Sequence, residues 1–209
     1  MTLRKQRGFS LLEMMITITF GLIIAGVSFV SLFPLLNRAH SETGYETTLM
    51  VLRDTRHLAI TQSHEYVVTF NPAGFAPGTI EVQYQPPAIG AGALPPLQLV
   101  NTYTLPIDVS FAVQPGFPAQ APDGFGTGIA AIDFGQGLGG GALNSIIFMP
   151  DGTARDNLGL GNFNSGVVYV TRPSDTIYSS RAVTVWGATG RIRGWRLIQQ
   201  AGAAIWIQQ

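Results

Sequence analysis

Cysteine is absent from the 209 residues and lysine occurs once, at Lys5. The missing cysteine excludes disulfides, thiolate metal sites and thiol nucleophiles. Charge is scarce as well, with twelve basic and twelve acidic residues making 11% of the chain and cancelling formally. Three of the basic residues, Arg4, Lys5 and Arg7, sit within the first seven positions. Removal of residues 1–8 would therefore leave nine basic against twelve acidic residues, with every base an arginine. Glycine (25) and proline (13) are plentiful and separate short β-branched runs. That pattern predicts a β-rich body with many turns rather than a helical bundle.

The one long apolar run follows the basic cluster. Met14 to Leu36 contains no charged residue, and as a helix these positions extend roughly 34 Å against a hydrocarbon core of about 30 Å. An ordinary secretory signal has a shorter apolar core followed by a small-residue cleavage site; no such site ends this run. The preceding bases predict a cytoplasmic N-terminus. Glu13 is anomalous in this setting, because an acid at the centre of a membrane helix costs about 2.5–3.5 kcal/mol and less near the interface. Two readings are open: the carboxylate reaches the headgroup level, or it pairs with a positive group. Cleavage after Gly8 would create such a group, the α-amine of Phe9, one helical turn from Glu13.

Arg7-Gly8-Phe9-Ser10-Leu11-Leu12-Glu13 resembles the prepilin peptidase site of type IV pilins and type II secretion pseudopilins. The resemblance implies cleavage between Gly8 and Phe9 on the cytoplasmic face, methylation of the new Phe9 amine, and filament assembly with Glu13 neutralising a neighbouring subunit's α-amine. It also implies that part of the helix melts on assembly, with Gly21 to Gly26 the expected place, since glycine lowers helix propensity. Pro34 is a further soft point, able to kink the helix.

Beyond Leu36 the composition becomes amphipathic. Leu49, Leu52, Arg56, Ala59 and Ile60 recur at three- and four-residue spacings. The expected architecture is α+β: one long transmembrane and amphipathic helix from about Phe9 to Gln62, then a β-rich, two-sheet, sandwich-like head over 63–209. In segments, the expectation is a leader over 1–8, a filament-core helix over 9–36 and its amphipathic continuation over 37–62. Strands are expected near 65–70, 79–85, 97–104, 107–113, 128–134, 145–149, 166–171, 181–187 and 190–198. The stretches 114–128 and 135–141 read as exposed loops, and Ala201 to Gln209 as an apolar segment that packs or continues a strand.

Three further segments carry a resemblance. Leu52-Arg53-Asp54-Thr55-Arg56-His57-Leu58-Ala59-Ile60, Phe148-Met149-Pro150-Asp151-Gly152, and Gly190-Arg191-Ile192-Arg193 are similar to the helix end, the central F-x-P-D-G turn and the G-R-x-R ending of the GspH/FimT group of pseudopilins and minor pilins. Residues 71–146 match no motif.

No catalytic constellation is legible, and no cofactor or metal is expected. His57 and His64 are seven apart and would share a helix face, but two imidazoles without a third ligand make a weak metal site. Gly135 to Gly141 lacks the lysine and helix of a phosphate loop, and Asp151-Gly152 reads as a tight turn. Near the C-terminus, Arg191 and Arg193 are expected on one strand face, with a bend at Gly194 bringing Arg196 close, forming an anion-binding patch. In the FimT-type minor pilins of the resembled group the G-R-x-R motif is associated with DNA capture during natural transformation, whereas the group's secretion pseudopilins carry the same ending without a role for DNA.

The expected function is structural: a membrane-anchored minor pilin or pseudopilin, single-pass in a bacterial inner membrane with its head in the periplasm. Its partners would be other pilin subunits, the prepilin peptidase and the cytoplasmic membrane. A DNA-binding minor pilin is the alternative, and a membrane-anchored binding module that keeps its leader is a third.

Overall fold

The computed structural model describes residues 10–71, 77–87, 95–126, 129–135, 143–156 and 161–209, without the side chains of 30–38. Gly8 and Phe9, most of the 135–141 glycine run and residues 127–128 lie outside these. The chain divides into two compact units, Met1–Ala39 and His40–Gln209. Helix α1 (Leu11–Gln62) is assigned without interruption through Gly21, Gly26 and Pro34.

In the first unit, the described side chains of α1 are exposed along their whole length. The hydroxyls of Thr17, Thr19 and Ser28 donate to the carbonyls of Glu13, Met15 and Ile24 at 2.7–3.0 Å. Such local bonds let polar residues sit on an apolar helix without an external partner.

In the second unit the same helix behaves differently. Ser41, Gly44, Tyr45, Thr48, Val51, Leu52, Thr55 and Ala59 are buried, a stripe at three- and four-residue spacing that defines one core-facing side. The Thr48 and Thr55 hydroxyls are satisfied internally by Gly44 and Val51 carbonyls. The helix stops at Ser63, whose φ of 56° leaves the helical region.

Two antiparallel sheets follow. Sheet A has the order β3-β2-β1-β6-β7, built from β1 (Glu65–Asn71), β2 (Thr79–Gln85), β3 (Gln98–Thr104), β6 (Ser145–Phe148) and β7 (Ala154–Arg155). Sheet B has the order β11-β10-β9-β8-β4, from β4 (Ser110–Phe111), β8 (Gly166–Thr171), β9 (Arg181–Trp186), β10 (Arg191–Gln200) and β11 (Ala203–Gln208). Strand β5 (Ile132–Phe134) also pairs with β8. The α+β expectation holds: an N-terminal apolar helix precedes a β-rich head of two antiparallel sheets.

One core joins the helix stripe to both sheets. Leu52 from α1, Val68, Phe70, Ile80 and Phe148 from sheet A, and Val168, Val170, Val183 and Val185 from sheet B belong to it and are almost wholly buried. Each such side chain contributes about 1.5–3 kcal/mol relative to exposure. The Phe70 ring meets Phe111 edge-on at 5.4 Å and Phe134 at 5.7 Å, which draws the short strands β4 and β5 onto the core.

Several expectations need correction. The 107–113 strand reduces to Ser110–Phe111 because Pro106 begins a turn closed by Val109 N donating to Pro106 O at 2.9 Å. Of the expected 128–134 strand, the described part, 129–134, is a strand only over Ile132–Phe134. Residues 203–208 make a separate strand, β11, because Ala201 and Gly202 adopt φ of 50° and 83° and reverse the chain; two positive-φ positions suit a two-residue hairpin. The segment expected as an exposed loop, 114–126, is packed instead: Gln114 and Pro122 are buried, and Phe117 and Phe125 sit with Val113 against the cluster of Val167, Tyr169 and Ala182 on sheet B. Its glycines and prolines disguised this role.

Close approach is tightest at two of the described glycines. A Cβ on Gly194 would lie 1.7 Å from the Tyr45 hydroxyl, and one on Gly190 would lie 1.9 Å from the Gly152 carbonyl. Gly194 thus lets β10 press directly on α1. Gly194→Ala is expected to lower stability by about 1–3 kcal/mol through overpacking, read as a fall in thermal midpoint, and Tyr45→Phe should recover part of it. An unchanged midpoint in Gly194→Ala contradicts this packing.

Candidate functional site

The processing segment itself lies outside the described residues, so the structure begins just after it. Glu13 occupies the first turn of α1 and is exposed, as are Leu11, Leu12, Met14, Ile16, Phe20 and Ile24 around it. Leu11–Phe29 is long and apolar enough to cross a membrane. Among the described residues, no positive group lies beside the Glu13 carboxylate to neutralise it. The surface therefore calls for lipid or other apolar helices, and the acid calls for a cation within them.

The head carries the second set of candidates. Pairing of β9 with β10 runs unbroken from Arg191↔Trp186 through Gly194↔Val183 to Arg196↔Arg181. The expected bend at Gly194 is therefore replaced by a continuous ladder. Alternation puts Arg191 and Arg193 on one face of β10 and Arg196 on the other. Arg191 and Arg196 are exposed, whereas Arg193 is half-buried.

Arg193 is occupied by Asp123. Its Nη1 donates to Asp123 Oδ1 at 2.6 Å, and its guanidinium lies 5.7 Å from the centre of the Trp186 ring. Asp123 Oδ2 accepts from the Thr184 hydroxyl at 2.6 Å and from Trp186 Nε1 at 3.0 Å. Trp195 Nε1 in turn donates to Thr184 Oγ1 at 3.0 Å. The carboxylate is only 5% exposed, and Asp123 holds a φ of 54°, a conformation costing about 1 kcal/mol or more outside glycine. This network clamps the 114–126 segment onto sheet B. Beneath the segment, burial pushes the Tyr169 phenol up to about 12. The partners of Asp123 lie 61 to 70 residues further on, and no local pattern announces them.

The remaining candidates separate. His57 is exposed on α1, and His64 lies beyond the helix end, edge-on to Tyr84 at 5.1 Å; the shared helix face is not formed because the helix ends at Gln62. His40 Nδ1 meets Asp108 Oδ1 at 2.8 Å, and Arg172 Nε meets the other oxygen at 2.6 Å. No group of three potential ligands for a metal occurs among the described residues. Asp151 closes its turn by accepting from both the Thr153 hydroxyl and the Thr153 amide, and the Thr153 hydroxyl and amide hold its carboxyl below the usual range.

Residues 3–29 match the family model of the prokaryotic N-terminal methylation motif. The match indicates a type IV pilin-like or pseudopilin chain processed by a prepilin peptidase, and implies assembly with other pilin subunits. The match and the apolar helix together fit a membrane-anchored pilin, and the motif points to a structural protein rather than an enzyme. No curated protein and no solved structure matches the chain.

Asp123→Ala removes three hydrogen-bond acceptances and leaves Arg193 unpaired. The expected loss is about 1–3 kcal/mol, accompanied by faster protease cleavage within residues 112–126. Unchanged stability and cleavage would show that the segment is held by its aromatic contacts alone.

Proposed function

We propose that this chain is a structural minor pilin or pseudopilin of the GspH/FimT kind, acting in initiation or at the tip of a type IV pilus or type II secretion filament. The observation that carries the reading is the methylation motif over residues 3–29 running into an apolar helix exposed on every side. After cleavage between Gly8 and Phe9, the Phe9 amine is methylated and stays in the apolar layer. Glu13 of one subunit then neutralises the amine of another, so charge compensation as well as apolar packing selects the assembled state. The head stands on the periplasmic side of a bacterial inner membrane, because the bases at Arg4, Lys5 and Arg7 retain the other end in the cytoplasm. Head motifs near Arg56, Asp151-Gly152 and Gly190 support the GspH/FimT assignment.

A DNA-capturing minor pilin is the second reading. It rests on the exposed Arg191 and Arg196, with Arg193 reserved for Asp123. Two phosphate contacts give weak binding that falls steeply with salt.

Coexpression with a prepilin peptidase is expected to shorten the chain by residues 1–8 and to add one methyl group to Phe9, both read by intact mass. Gly8→Val should block the cut. An unshortened wild-type chain under conditions that process a known prepilin contradicts the proposal.

A further inference from the structure

The described arginines of the head fall into two groups. Arg155, Arg172, Arg181 and Arg193 each meet a carboxylate, from Asp151, Asp108, Glu42 and Asp123. Arg53, Arg56, Arg191 and Arg196 have no carboxylate partner among the described residues. Three of those four, Arg53, Arg56 and Arg191, line a single pocket of about 390 Å³ together with Thr189, Gly190 and Ile192. No acidic residue lines it. Three like charges around one small cavity repel each other, and an arrangement of that kind is relieved by an anion.

The pocket is also built rather than incidental. Arg56 is fixed by Nε donating to Gly152 O at 3.0 Å and by Nη2 donating to Thr189 O at 3.1 Å, and its Nη1 has no bond among the described residues. Arg53 lies one turn earlier on the same helix face. The Thr189 hydroxyl accepts from the Arg191 amide at 3.3 Å, so its proton is free to be donated into the cavity. Gly190 cannot carry a side chain here without striking the Gly152 carbonyl and Arg56, which keeps the turn seated against the helix.

We infer that this pocket is an oxyanion site that takes a carboxylate from an acidic segment of a partner protein. Guanidinium forks match carboxylates and phosphates alike. Two observations favour the carboxylate of a protein over a nucleic-acid backbone. The cavity holds one side chain or terminus, and the head over residues 40–209 carries eight arginines against eleven acids, so its long-range field repels a polyanion while the pocket attracts a single charge locally. The inference is independent of the processing reading, which concerns residues 8–13.

The test uses the full chain in detergent micelles, titrated by calorimetry with a blocked triglutamate peptide, with inorganic phosphate and with a duplex oligonucleotide. Saturable peptide binding is expected, weakened about tenfold or more in Arg53→Gln/Arg191→Gln, consistent with loss of charge-assisted contacts, and unaltered in Arg196→Gln. Arg56 is left intact because it also holds the fold, and the thermal midpoint of each variant verifies folding. Absence of saturable peptide binding overturns the proposal. So does peptide binding that the double variant retains. Phosphate or duplex binding lost in the double variant, without peptide binding, assigns the pocket to phosphate chemistry and overturns the carboxylate source.

Discussion

Late in α1, the guanidinium of Arg56 bonds the carbonyl of Gly152, in the turn between β6 and β7, and that of Thr189, in the turn between β9 and β10. The first turn belongs to sheet A and the second to sheet B, so one side chain ties the helix to both sheets at their shared end. A charged donor makes these bonds stronger than neutral ones. Glycine at 190 is a condition of the arrangement, because any Cβ there would strike the Gly152 carbonyl. Three segments far apart in sequence thus meet at one point, and their residue types follow from that meeting.

The head also separates structural arginines from available ones. Glu42 holds Arg181 against the helix, and Asp123 holds Arg193 against the covering segment. Both pairs are partly shielded from solvent, where removing one partner costs more than the pair itself contributes. Arg53, Arg191 and Arg196 are left to face outward. Which arginines remain available is therefore set by the carboxylates that the fold has already placed beside the others.

Much of this was legible in the sequence. The helix showed through the three- and four-residue spacing of Leu49, Leu52, Ala59 and Ile60, and strands β1, β2, β8 and β9 through β-branched runs between glycine and proline. The N-terminal motif was legible because it is contiguous and its chemistry is local. What stayed hidden is non-local. Asp123 sits in a segment whose composition resembles a loop, and its value comes from Thr184, Trp186 and Arg193, brought over it by sheet pairing. Arg53 and Arg56 could be placed on the helix end, but the β9–β10 turn that meets them there lies 133 residues beyond Arg56. Strand β11 escaped because its turn uses Ala201 where asparagine or glycine would have signalled the reversal.

The account as a whole rests on Glu13 and the apolar surface around it belonging to a filament. The measurement that tests this most directly is the share of processed chain recovered in filaments sheared from cells that contain the complete assembly machinery, compared between wild type and Glu13→Gln. The account predicts processed wild-type chain in the sheared fraction, and processed Glu13→Gln retained in the membrane. Wild-type chain that is cleaved yet never leaves the membrane fraction would contradict it, as would Glu13→Gln entering filaments as readily as wild type.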